Sequence, residues 1–332
     1  MAETAPQISV AVVSWNTRDL LDQCLRSIEP DVRAGLAEAW VVDNASTDGS
    51  AELVRSTHPW ARLIAASENL GFGRAVNLVA ERTRTPWLAP ANADIALTRG
   101  ALDRLLRAGE SDQRAGIIAP RLVLDDGTTQ HSVYNFPTLP YTLLLNLGVG
   151  SVHNRIGDRL ALIGSWNPDR RREVDWAIGA FLLVRRVAWT QTGGFDPQQW
   201  MYAEDLDLGW RTSRAGWRTL YEPDAVVKHR SGASVVQLWP QARREQWMRS
   251  TYAWMIRRRG PVRTRTIAVI NIGGAAVRAA LLTPAARLSP QRWAERRREL
   301  MQWMRLHAIG LASRHRLERH GEAASPESDP RR

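Results

Sequence analysis

Short apolar runs alternate with helical patterns from residue 8 to residue 94, and this alternation constrains the fold more than any other feature. Four runs are rich in Val, Ile, Leu or Ala and have the length of strands: "QISVAVVSWN", "AWVVDN", "ARLIAAS" and "PWLAPANAD". Each of the first three is followed by a stretch whose apolar residues recur at helical spacing. Nearly continuous apolar strands that alternate with helices predict an α/β fold, with a mostly parallel sheet and helices on both faces.

The pattern changes beyond residue 94. Further strands are expected in "GIIAPRLVL", "DWAIGAFLLVRR" and "TLYEPDAVVKHR", and residues 125–172 are expected to be irregular. After about Ser234 the chain contains three helical segments rich in Arg and Trp, and its last residues are polar. We therefore predict an α/β domain over residues 1–234, a basic helical extension over 235–320 and a disordered tail over 321–332.

Composition and charge limit the class of protein. Of 332 residues, 44% are hydrophobic and 24% charged, which is typical of a globular chain. The net charge of +11, carried mainly by Arg, favours an anionic partner. Cys24 is the only cysteine, so no internal disulfide forms and a reducing compartment is expected. The first residues lack a basic segment and the apolar run at 8–15 is too short for a signal core, which favours the cytoplasm.

Polar side chains follow three of the predicted strands, at residues 14–16, 43–44 and 92–94. In open parallel sheets, ligands bind outside the carboxyl ends of the strands, so these three clusters outline one site. Asp43 suits a hydrogen-bond acceptor for a nucleoside, either its pyrimidine ring or its sugar. The alternative is that Asp43 caps the next helix, whose start we expect to be capped by Ser46 or Thr47.

A dinucleotide-binding Rossmann domain is the obvious competitor. It needs a Gly-x-Gly-x-x-Gly motif directly after the first strand, where this chain has "SWNTRD" and no glycine. The stretch "GFGRAV" matches in part, but it follows the third strand and lacks the third glycine. We therefore set the dinucleotide interpretation aside.

Six motifs occur in one order along the chain: "VVSWN", "VVDNASTDGS", "NLGFGRAVN", "NADIAL", "AEDLDLGWR" and "VVKHRSGAS". In this order and spacing, residues 8–234 resemble family 2 glycosyltransferases of the GT-A fold, and more closely the bacterial rhamnosyltransferase-like branch that acts on lipid-linked glycans. The resemblance implies transfer of a sugar from a nucleotide-sugar donor with inversion at the anomeric carbon. It also implies a divalent metal cofactor, Mg²⁺ or Mn²⁺.

The resemblance assigns the metal to two residues. The sequence Asn92-Ala93-Asp94 stands where the family has its Asp-x-Asp signature, so Asp94 is expected to be the main carboxylate ligand. Asn92 also occurs at this position in members of the branch, and we do not take it as loss of activity. His229, in "HRSG", resembles a metal or diphosphate ligand, although a lone histidine is more often a surface or core residue.

Inverting transfer needs one base to remove the acceptor hydroxyl's proton. The resemblance places this base at Asp205, with Glu204 orienting the acceptor or the start of the helix. The alternative for both acids is a favourable place at a helix N-terminus, and the two interpretations are compatible. Asp207 completes a second Asp-x-Asp sequence, but its late position at a helix start argues against a donor-metal role.

The donor and acceptor sites complete the assignment. Arg74 is placed near the donor phosphates because arginines and helix N-termini favour phosphate, and Asn77 is assigned a structural role. The predicted donor-binding residues are Ser14, Asn16, Asp43, Asn44, Arg74 and Asn92. The stretch "DWAIGAF" resembles the family's acceptor loop, with Gly179 and Ala180 allowing close approach. Trp176 is either a platform for a sugar face or an ordinary buried tryptophan.

The basic tail suits the interface of an anionic membrane, with Arg on one helix face and Trp, Met and Leu on the other. The run at residues 264–283 is apolar, but Asn271 and Arg278 interrupt it, which favours an interfacial or packed helix over a spanning one. The alternatives are an ordinary helical subdomain or a homo-oligomerisation element. Nucleic acid is not expected as a partner, because charge alone supports it and no motif does.

Two functions from different classes follow. The first is an inverting glycosyltransferase at the inner face of the cytoplasmic membrane. Its acceptor is a lipid-linked or cell-envelope glycan, and its best candidate donor is dTDP-rhamnose. The second is a non-catalytic GT-A-like protein that binds glycans or membranes. The presence of Asp94, Asp205 and His229 favours the enzyme.

Overall fold

The first four strands form a parallel sheet, as the alternation predicts. A computed structural model describes residues 5–147, 154–162, 165–230, 243–288 and 290–312. Its first elements are β1 Ile8–Ser14, α1 Arg18–Arg33, β2 Ala37–Asp43, α2 Ser50–Thr57, β3 Arg62–Ala65, α3 Phe72–Arg82 and β4 Trp87–Asn92. Strand β1 lies between β2 and β4 and is parallel to both. The register sets Ser14 opposite Asp43 and Val13 opposite Asn92, so the predicted polar strand ends share one edge.

The sheet continues with mixed strand directions. The next elements of the sheet and its helices are β5 Ile95–Leu97, α4 Ala101–Glu110, β6 Ala115–Val123, β7 Val133–Tyr134, β8 Arg172–Val174, β9 Trp176–Ala177, β10 Leu183–Arg185, α7 Arg186–Thr192, α8 Glu204–Arg214 and β11 Arg218–His229. Helices α5 and α6 lie between β7 and β8 in the chain and are described below with the C-terminal helices. The strand order is β3-β2-β1-β4-β10-β6-β11-β5, with β8 also pairing with β11 and a separate β7–β9 pair. Strand β11 is parallel to β6, whereas β10 and β5 are antiparallel to their neighbours. The prediction of a mostly parallel α/β sheet is therefore confirmed.

The single strand expected in "DWAIGAFLLVRR" is wrong, because the stretch forms two short strands in different sheets: β9 pairs with β7, and β10 lies between β4 and β6. Residues 179–180 form a turn there, and the amide of Ile178 donates a hydrogen bond to the carbonyl of Ser132 (2.8 Å). The break turns a short loop toward the edge where the polar strand ends lie.

The predicted cap of α2 is also wrong. The helix begins at Ser50, two to three residues later than expected, and its N-cap Gly49 has a left-handed backbone (φ 84°). Asp48 supplies the side chain that Ser46 or Thr47 was expected to supply: its Oδ1 accepts from the Ser50 amide (3.0 Å). Its Oδ2 accepts from the Arg18 amide (2.8 Å), so one carboxylate serves the starts of both α1 and α2.

The core lies between the sheet and its helices. Helix α1 contributes Leu21, Cys24, Leu25 and Ile28, all fully buried at helical spacing. Burial raises the pKa of the Cys24 thiol, which therefore stays protonated and behaves as a small apolar side chain. The lone cysteine is thus explained by packing.

The chain divides into two compact units: Met1–Tyr134 with Asn167–Pro240, and Asn135–Trp166 with Gln241–Arg332. The second unit contains α5 Leu139–Asn146, α6 Asn154–Arg159, α9 Arg243–Arg259, α10 Pro261–Leu288, α11 Pro290–Ala308 and a 3₁₀ turn at Ile309–Leu311. The three predicted C-terminal helices are present. In its described residues, the stretch at 125–172 expected to be irregular instead contains strand β7 and two helices, and part of it clusters with the second unit. The predicted disordered tail at 321–332 lies outside the described residues.

Helix α10 is the longest of the described helices in the second unit. Residues Pro261–Leu282 are long and apolar enough to cross a membrane by length and composition, with a mean hydropathy of 1.4 over the best window. Only 17% of that window is buried inside the protein. An ordinary core helix would be mostly buried, so this helix exposes apolar surface in the described structure.

Candidate active site

The nucleoside-binding prediction centres on Asp43, which lies at the end of β2 beside Ser14 at the end of β1. The Asn44 amide donates to the Ser14 carbonyl (2.8 Å), which fixes the two strand ends together. Asp43 is buried, and its Oδ2 accepts from the Ser46 amide (3.2 Å). Its Oδ1 is buried without a hydrogen-bond partner among the described residues. Because a buried carboxylate oxygen normally has a donor, this oxygen is a ready acceptor for a ligand.

Asn16 and Asn44 join neighbouring loops. Asn16 has a left-handed backbone (φ 50°), and its Oδ1 accepts from the Thr47 amide (2.8 Å). Its own amide donates to Ser46 Oγ (3.0 Å). Asn44 Nδ2 donates to the Gly71 carbonyl (3.5 Å). These contacts shape the rim around Asp43, so both asparagines hold the predicted donor site in place.

The helix after the third strand carries the predicted phosphate contact. Arg74 is exposed on the first turn of α3, and its Nε donates to the Pro197 carbonyl (3.2 Å). The side chain of Asn77 makes two hydrogen bonds to the backbone of Phe195: Oδ1 accepts from the Phe195 amide (3.1 Å) and Nδ2 donates to the Phe195 carbonyl (2.9 Å). The structural role expected for Asn77 agrees with these bonds.

Asp94 and His229 meet because β5 pairs with β11, which sets Ile95 opposite His229. His229 Nε2 lies 3.4 Å from Asp94 Oδ1, and both side chains are buried. Neither atom has a hydrogen-bond partner in the described part of the chain. The Arg230 amide donates to the Asp94 carbonyl (2.9 Å), which ties the two strand ends together.

The other ring nitrogen of His229 contacts a side-chain amide. Nδ1 lies 2.7 Å from Oε1 of Gln130. Because an amide oxygen only accepts, this contact is a hydrogen bond when the ring proton is on Nδ1, which leaves a lone pair on Nε2. Nε2 and Asp94 Oδ1 then face each other as two acceptors, and such a pair fits a divalent metal. Within the described ranges, no group of three or more His, Cys, Asp or Glu could hold a metal alone.

Glu204 and Asp205 open α8 directly after two residues with left-handed backbone, Tyr202 and Ala203 (φ 63° each). Left-handed residues other than glycine are strained, and strain of this kind concentrates at functional sites. Asp205 Oδ2 accepts from the Gly179 amide (3.0 Å), and its Oδ1 accepts from the Leu206 amide (2.7 Å). The carboxylate is therefore held in one orientation by two backbone donors.

Electrostatics separates the roles of the two acids. Burial raises the pKa of Asp205. Burial, and then the adjacent Asp205 charge, raise the pKa of Glu204 to about 8. Glu204 Oε2 is also buried without a hydrogen-bond partner among the described residues. Glu204 is therefore the member of the pair that keeps its proton to the higher pH, while the amide donors of Asp205 stabilise its charged form.

The second Asp-x-Asp sequence is structural. Asp207 is fully buried, and its Oδ2 accepts from Arg211 Nε (2.6 Å) one helical turn later. The Asp207 carboxylate is therefore used in an ion pair within the helix. The argument that kept Asp207 out of the donor-metal role agrees with this geometry.

The predicted acceptor loop packs against Asp205. A Cβ added at Gly179 would lie 3.4 Å from the Asp205 Cβ, so the glycine permits close approach. Ala180 is buried, and its carbonyl accepts from the Asn92 amide (2.9 Å). Trp176 is half-buried and stacks on Tyr134, with ring centroids 4.7 Å apart.

Sequence reasoning missed Gln130 and the packing between Gly71 and Trp200. Gln130 lies in a stretch without periodicity, and only the preceding Asp-Asp-Gly signalled a turn there. Gly71 has φ 75°, and a Cβ on it would lie 2.5 Å from the Trp200 carbonyl oxygen. The glycine in "NLGFG" was visible in the sequence, but its partner was not.

Comparison with known proteins identifies the family. A family model described as Glycosyl transferase family group 2 matches residues 101–312, more than half of the chain, and one described as Glycosyl transferase family 2 matches residues 9–165. The N-acetylglucosaminyl-diphospho-decaprenol L-rhamnosyltransferase of Mycobacterium tuberculosis H37Rv is 31% identical over 242 residues, which cover 68% of this chain and 77% of that protein. The chain is a family 2 glycosyltransferase.

Further likenesses agree with this assignment. Rhamnosyltransferase WbbL of Escherichia coli K12 is 37% identical to this glycosyltransferase over 87 residues, 26% of this chain and 32% of that protein. The mannosyltransferase PcManGT from Pyrobaculum calidifontis, solved with GDP-Man and Mn²⁺, superposes with a TM-score of 0.56 at 20% identity. The match covers 93% of this chain and 86% of that one. The fold is that of GT-A glycosyltransferases, as predicted.

Proposed function

We propose that this glycosyltransferase is an inverting, metal-dependent hexosyltransferase, with dTDP-rhamnose as its best candidate donor and a lipid-linked or cell-envelope glycan as its acceptor. The rhamnosyltransferase relative, whose name specifies a diphospho-decaprenol acceptor, supports the sugar and the acceptor class. The observation that carries the mechanism is that one unit holds both a cation-fitting pair and a single oriented carboxylate. These are Asp94 with His229, and Asp205.

The donor lies along the carboxyl edge of β1, β2 and β4. Asp43 Oδ1 accepts a hydrogen bond from the nucleoside, while Ser14, Asn16 and Asn44 shape its pocket. Asp94 and His229 would hold Mg²⁺ or Mn²⁺. Arg74 and Asn92 lie where the phosphates of the donor bind. When bound, the cation neutralises the charge that develops on the leaving diphosphate.

Asp205 removes the proton of the acceptor hydroxyl as that oxygen forms its bond to the donor's anomeric carbon. The bond from that carbon to the diphosphate oxygen breaks on the opposite side, so the configuration inverts. Two amide donors keep the carboxylate fixed, and burial makes it a stronger base than a solvated aspartate. Protonated Glu204 keeps a second negative charge away from the site, while Trp176, Gly179 and Ala180 border the acceptor.

Asp205→Asn tests the assignment. The variant should keep donor affinity and lose ~10²–10⁴-fold in transfer rate, because a base acts on the acceptor proton. Calorimetry with dTDP-rhamnose and Mn²⁺ beside a turnover assay measures both quantities. Asp19→Asn is the matched control, since Asp19 is an exposed acid in the first turn of α1.

Near-normal transfer by Asp205→Asn would remove it from the base role. Donor binding without any metal-dependent release of dTDP in the unaltered protein would favour the non-catalytic binding protein instead. A screen of other nucleotide sugars for released nucleotide tests the choice of rhamnose.

We also assign the enzyme to the inner face of the cytoplasmic membrane, in peripheral contact with anionic lipid. Residues 243–312 contain 15 arginines and only three glutamates. A lipid-linked acceptor is presented at a membrane surface, so a basic extension would bring the enzyme to it. Sedimentation with anionic vesicles at low and high salt tests this, and indifference to such vesicles at low salt would contradict it.

A further inference from the structure

The second unit exposes apolar side chains on two neighbouring helices, α5 and α10. On α5 and just after it, Leu143, Leu144, Leu145 and Leu147 are exposed, although the helix is only eight residues long. On α10 the exposed apolar residues are Val262, Val269, Val277 and Leu281. At 100° per residue these four fall within about 120° of one helix face.

Asn271 and Arg278, in the second half of α10, lie on a different face and are satisfied internally. Asn146 at the end of α5 donates to Asn271 Oδ1 (2.8 Å), and its carbonyl and side-chain oxygens accept from Arg278 (3.2 Å each). Gly274 lies between them, and a Cβ there would overlap the Asn146 side chain. The two residues that interrupt the apolar run in the sequence therefore pack against α5. Their polarity does not oppose contact between the opposite face and lipid.

Helix α10 is packed along another side as well. Ile267, Ala268 and Ala275 are buried, so the helix is supported by the protein along part of its circumference. A helix with one supported side and one apolar exposed side suits the plane of a membrane interface better than an isolated span.

The charge beside this face matches one partner. Arg263 and Arg265 are exposed on the first turns of α10, and Trp247 and Trp303 are partly exposed on α9 and α11. Helices α9 and α11 both pack against α10, so exposed arginine, tryptophan and valine occur within one helical cluster. This is the composition of a surface that binds anionic headgroups and the upper acyl chains.

We infer that the exposed apolar residues of α5 and α10, here called the α5–α10 face, insert into the headgroup–acyl boundary of an anionic bilayer. This inference rests on the proposed membrane contact and specifies the surface that makes it. It assigns the α5 segment, which the sequence pattern left as irregular chain, to membrane binding.

Site-specific labelling tests the face directly. Cys24 is fully buried, so a cysteine introduced by Val277→Cys can be labelled selectively with an environment-sensitive nitrobenzoxadiazole dye. Vesicles of phosphatidylcholine with phosphatidylglycerol should raise and blue-shift its emission. Val187→Cys is the matched control: Val187 is 54% exposed on α7 of the first unit, against 59% for Val277. Its dye should not respond.

Substitution gives the second arm. Val269→Asp should weaken sedimentation with these vesicles about tenfold, because a valine that enters the lipid is replaced by a charge. Val187→Asp should not weaken it. Both variants should keep metal-dependent donor binding. A failed transfer assay in the unaltered protein would count against the proposed function and leave the dye result standing.

Three outcomes would overturn the inference. Vesicle binding with a silent dye at Val277 would place the contact on another surface. Equal weakening by Val269→Asp and Val187→Asp would remove the specificity of the face. A dimer that Val269→Asp dissociates in the absence of lipid would assign the face to a second copy of the chain.

A different observation carries a second inference, at Gln130. Its amide donates to the Leu122 carbonyl (2.8 Å), and the Leu124 amide donates to the Thr128 carbonyl (2.9 Å), so a short hairpin sets its position. From there Oε1 lies 2.7 Å from His229 Nδ1, within reach of a hydrogen bond donated by that nitrogen. The geometry points to Gln130 as the positioning residue that keeps the His229 Nε2 lone pair directed at the cation site.

Gln130→Met and Gln130→Glu test this role. Methionine has a similar length but no acceptor oxygen, whereas glutamate keeps one. Nitrogen-15 NMR of the metal-free protein should show the Nδ1-protonated tautomer of His229 in the unaltered protein and in Gln130→Glu, and a shift toward the Nε2-protonated form in Gln130→Met. Affinity for Mn²⁺ in the presence of dTDP should fall about 10–100-fold in Gln130→Met and by less in Gln130→Glu.

An unchanged tautomer in Gln130→Met would overturn the inference, and so would equal losses of Mn²⁺ affinity in both variants. Equal losses would mean that Gln130 acts through packing of the hairpin. Thermal unfolding of each variant separates a loss of fold from a loss of the acceptor.

Discussion

Replacing Glu204 by Gln should remove a pH-dependent cost to folding. Burial and the adjacent Asp205 carboxylate raise the pKa of Glu204 from 4.5 to about 8. For an acid, a raised pKa in the folded state means that the contribution to stability is complete below pH 4.5. It is lost as the pH rises toward 8, because the unfolded chain releases the proton first. The slope is ~1.4 kcal/mol per pH unit, so the cost between pH 6 and pH 8 is about 2–3 kcal/mol.

Urea unfolding at pH 6 and pH 8 measures this cost, with the fluorescence of the 15 tryptophans as the signal. The free energy of unfolding of the unaltered protein should fall by about 2–3 kcal/mol more than that of Glu204→Gln over this range. Other titrating groups are common to both proteins and cancel in the difference. Glu81→Gln, on the exposed side of α3, should follow the unaltered protein. An identical pH dependence in Glu204→Gln would refute the raised pKa and the assignment of the proton to Glu204.

Three further variants test separate parts of the first unit. Asp94→Ala should abolish metal-dependent donor binding, because Asn92 supplies no second carboxylate; a titration of Mn²⁺ against dTDP affinity checks it, and an unchanged metal dependence would place the ligands elsewhere. Asp43→Ala should weaken dTDP binding about tenfold by calorimetry, since it removes a buried acceptor, and equal affinity would remove Asp43 from the nucleoside site. Gly71→Ala should lower the free energy of unfolding by about 1–3 kcal/mol, because φ 75° and the Trp200 carbonyl both exclude a Cβ; urea unfolding measures it, and no loss would contradict the reported packing.

The strand-end residues could be predicted because their positions depend on local pattern alone. Asp43 and Asn92 each follow an apolar run, and parallel strands bring their carboxyl ends to one edge. The order of the six motifs then indicated the glycosyltransferase family, which the comparisons confirm. The roles of the individual site residues remain predictions.

Contacts between distant segments could not be derived from the sequence alone. Asp94 meets His229 only because β5 runs antiparallel to β11, a direction that breaks the parallel pattern of the first four strands. The assignment of both residues to one metal came from the family resemblance. Helix α5 was missed for another reason: its consecutive leucines have no helical period, so the pattern gives no amphipathic signal.

One loop joins the two halves of the proposed chemistry. The Gly179 amide donates to Asp205 Oδ2 (3.0 Å), and the next residue, Ala180, accepts from the Asn92 amide through its carbonyl (2.9 Å). Two adjacent residues therefore connect the carboxylate that we assign to the acceptor with the strand end that we assign to the donor. A Cβ at Gly179 would already be in van der Waals contact with the Asp205 Cβ (3.4 Å), so a bulkier side chain would shift the loop and move this carboxylate relative to the strand end. Because transfer rates depend steeply on the distance between reacting groups, this loop sets a geometric condition for catalysis without taking part in a chemical step.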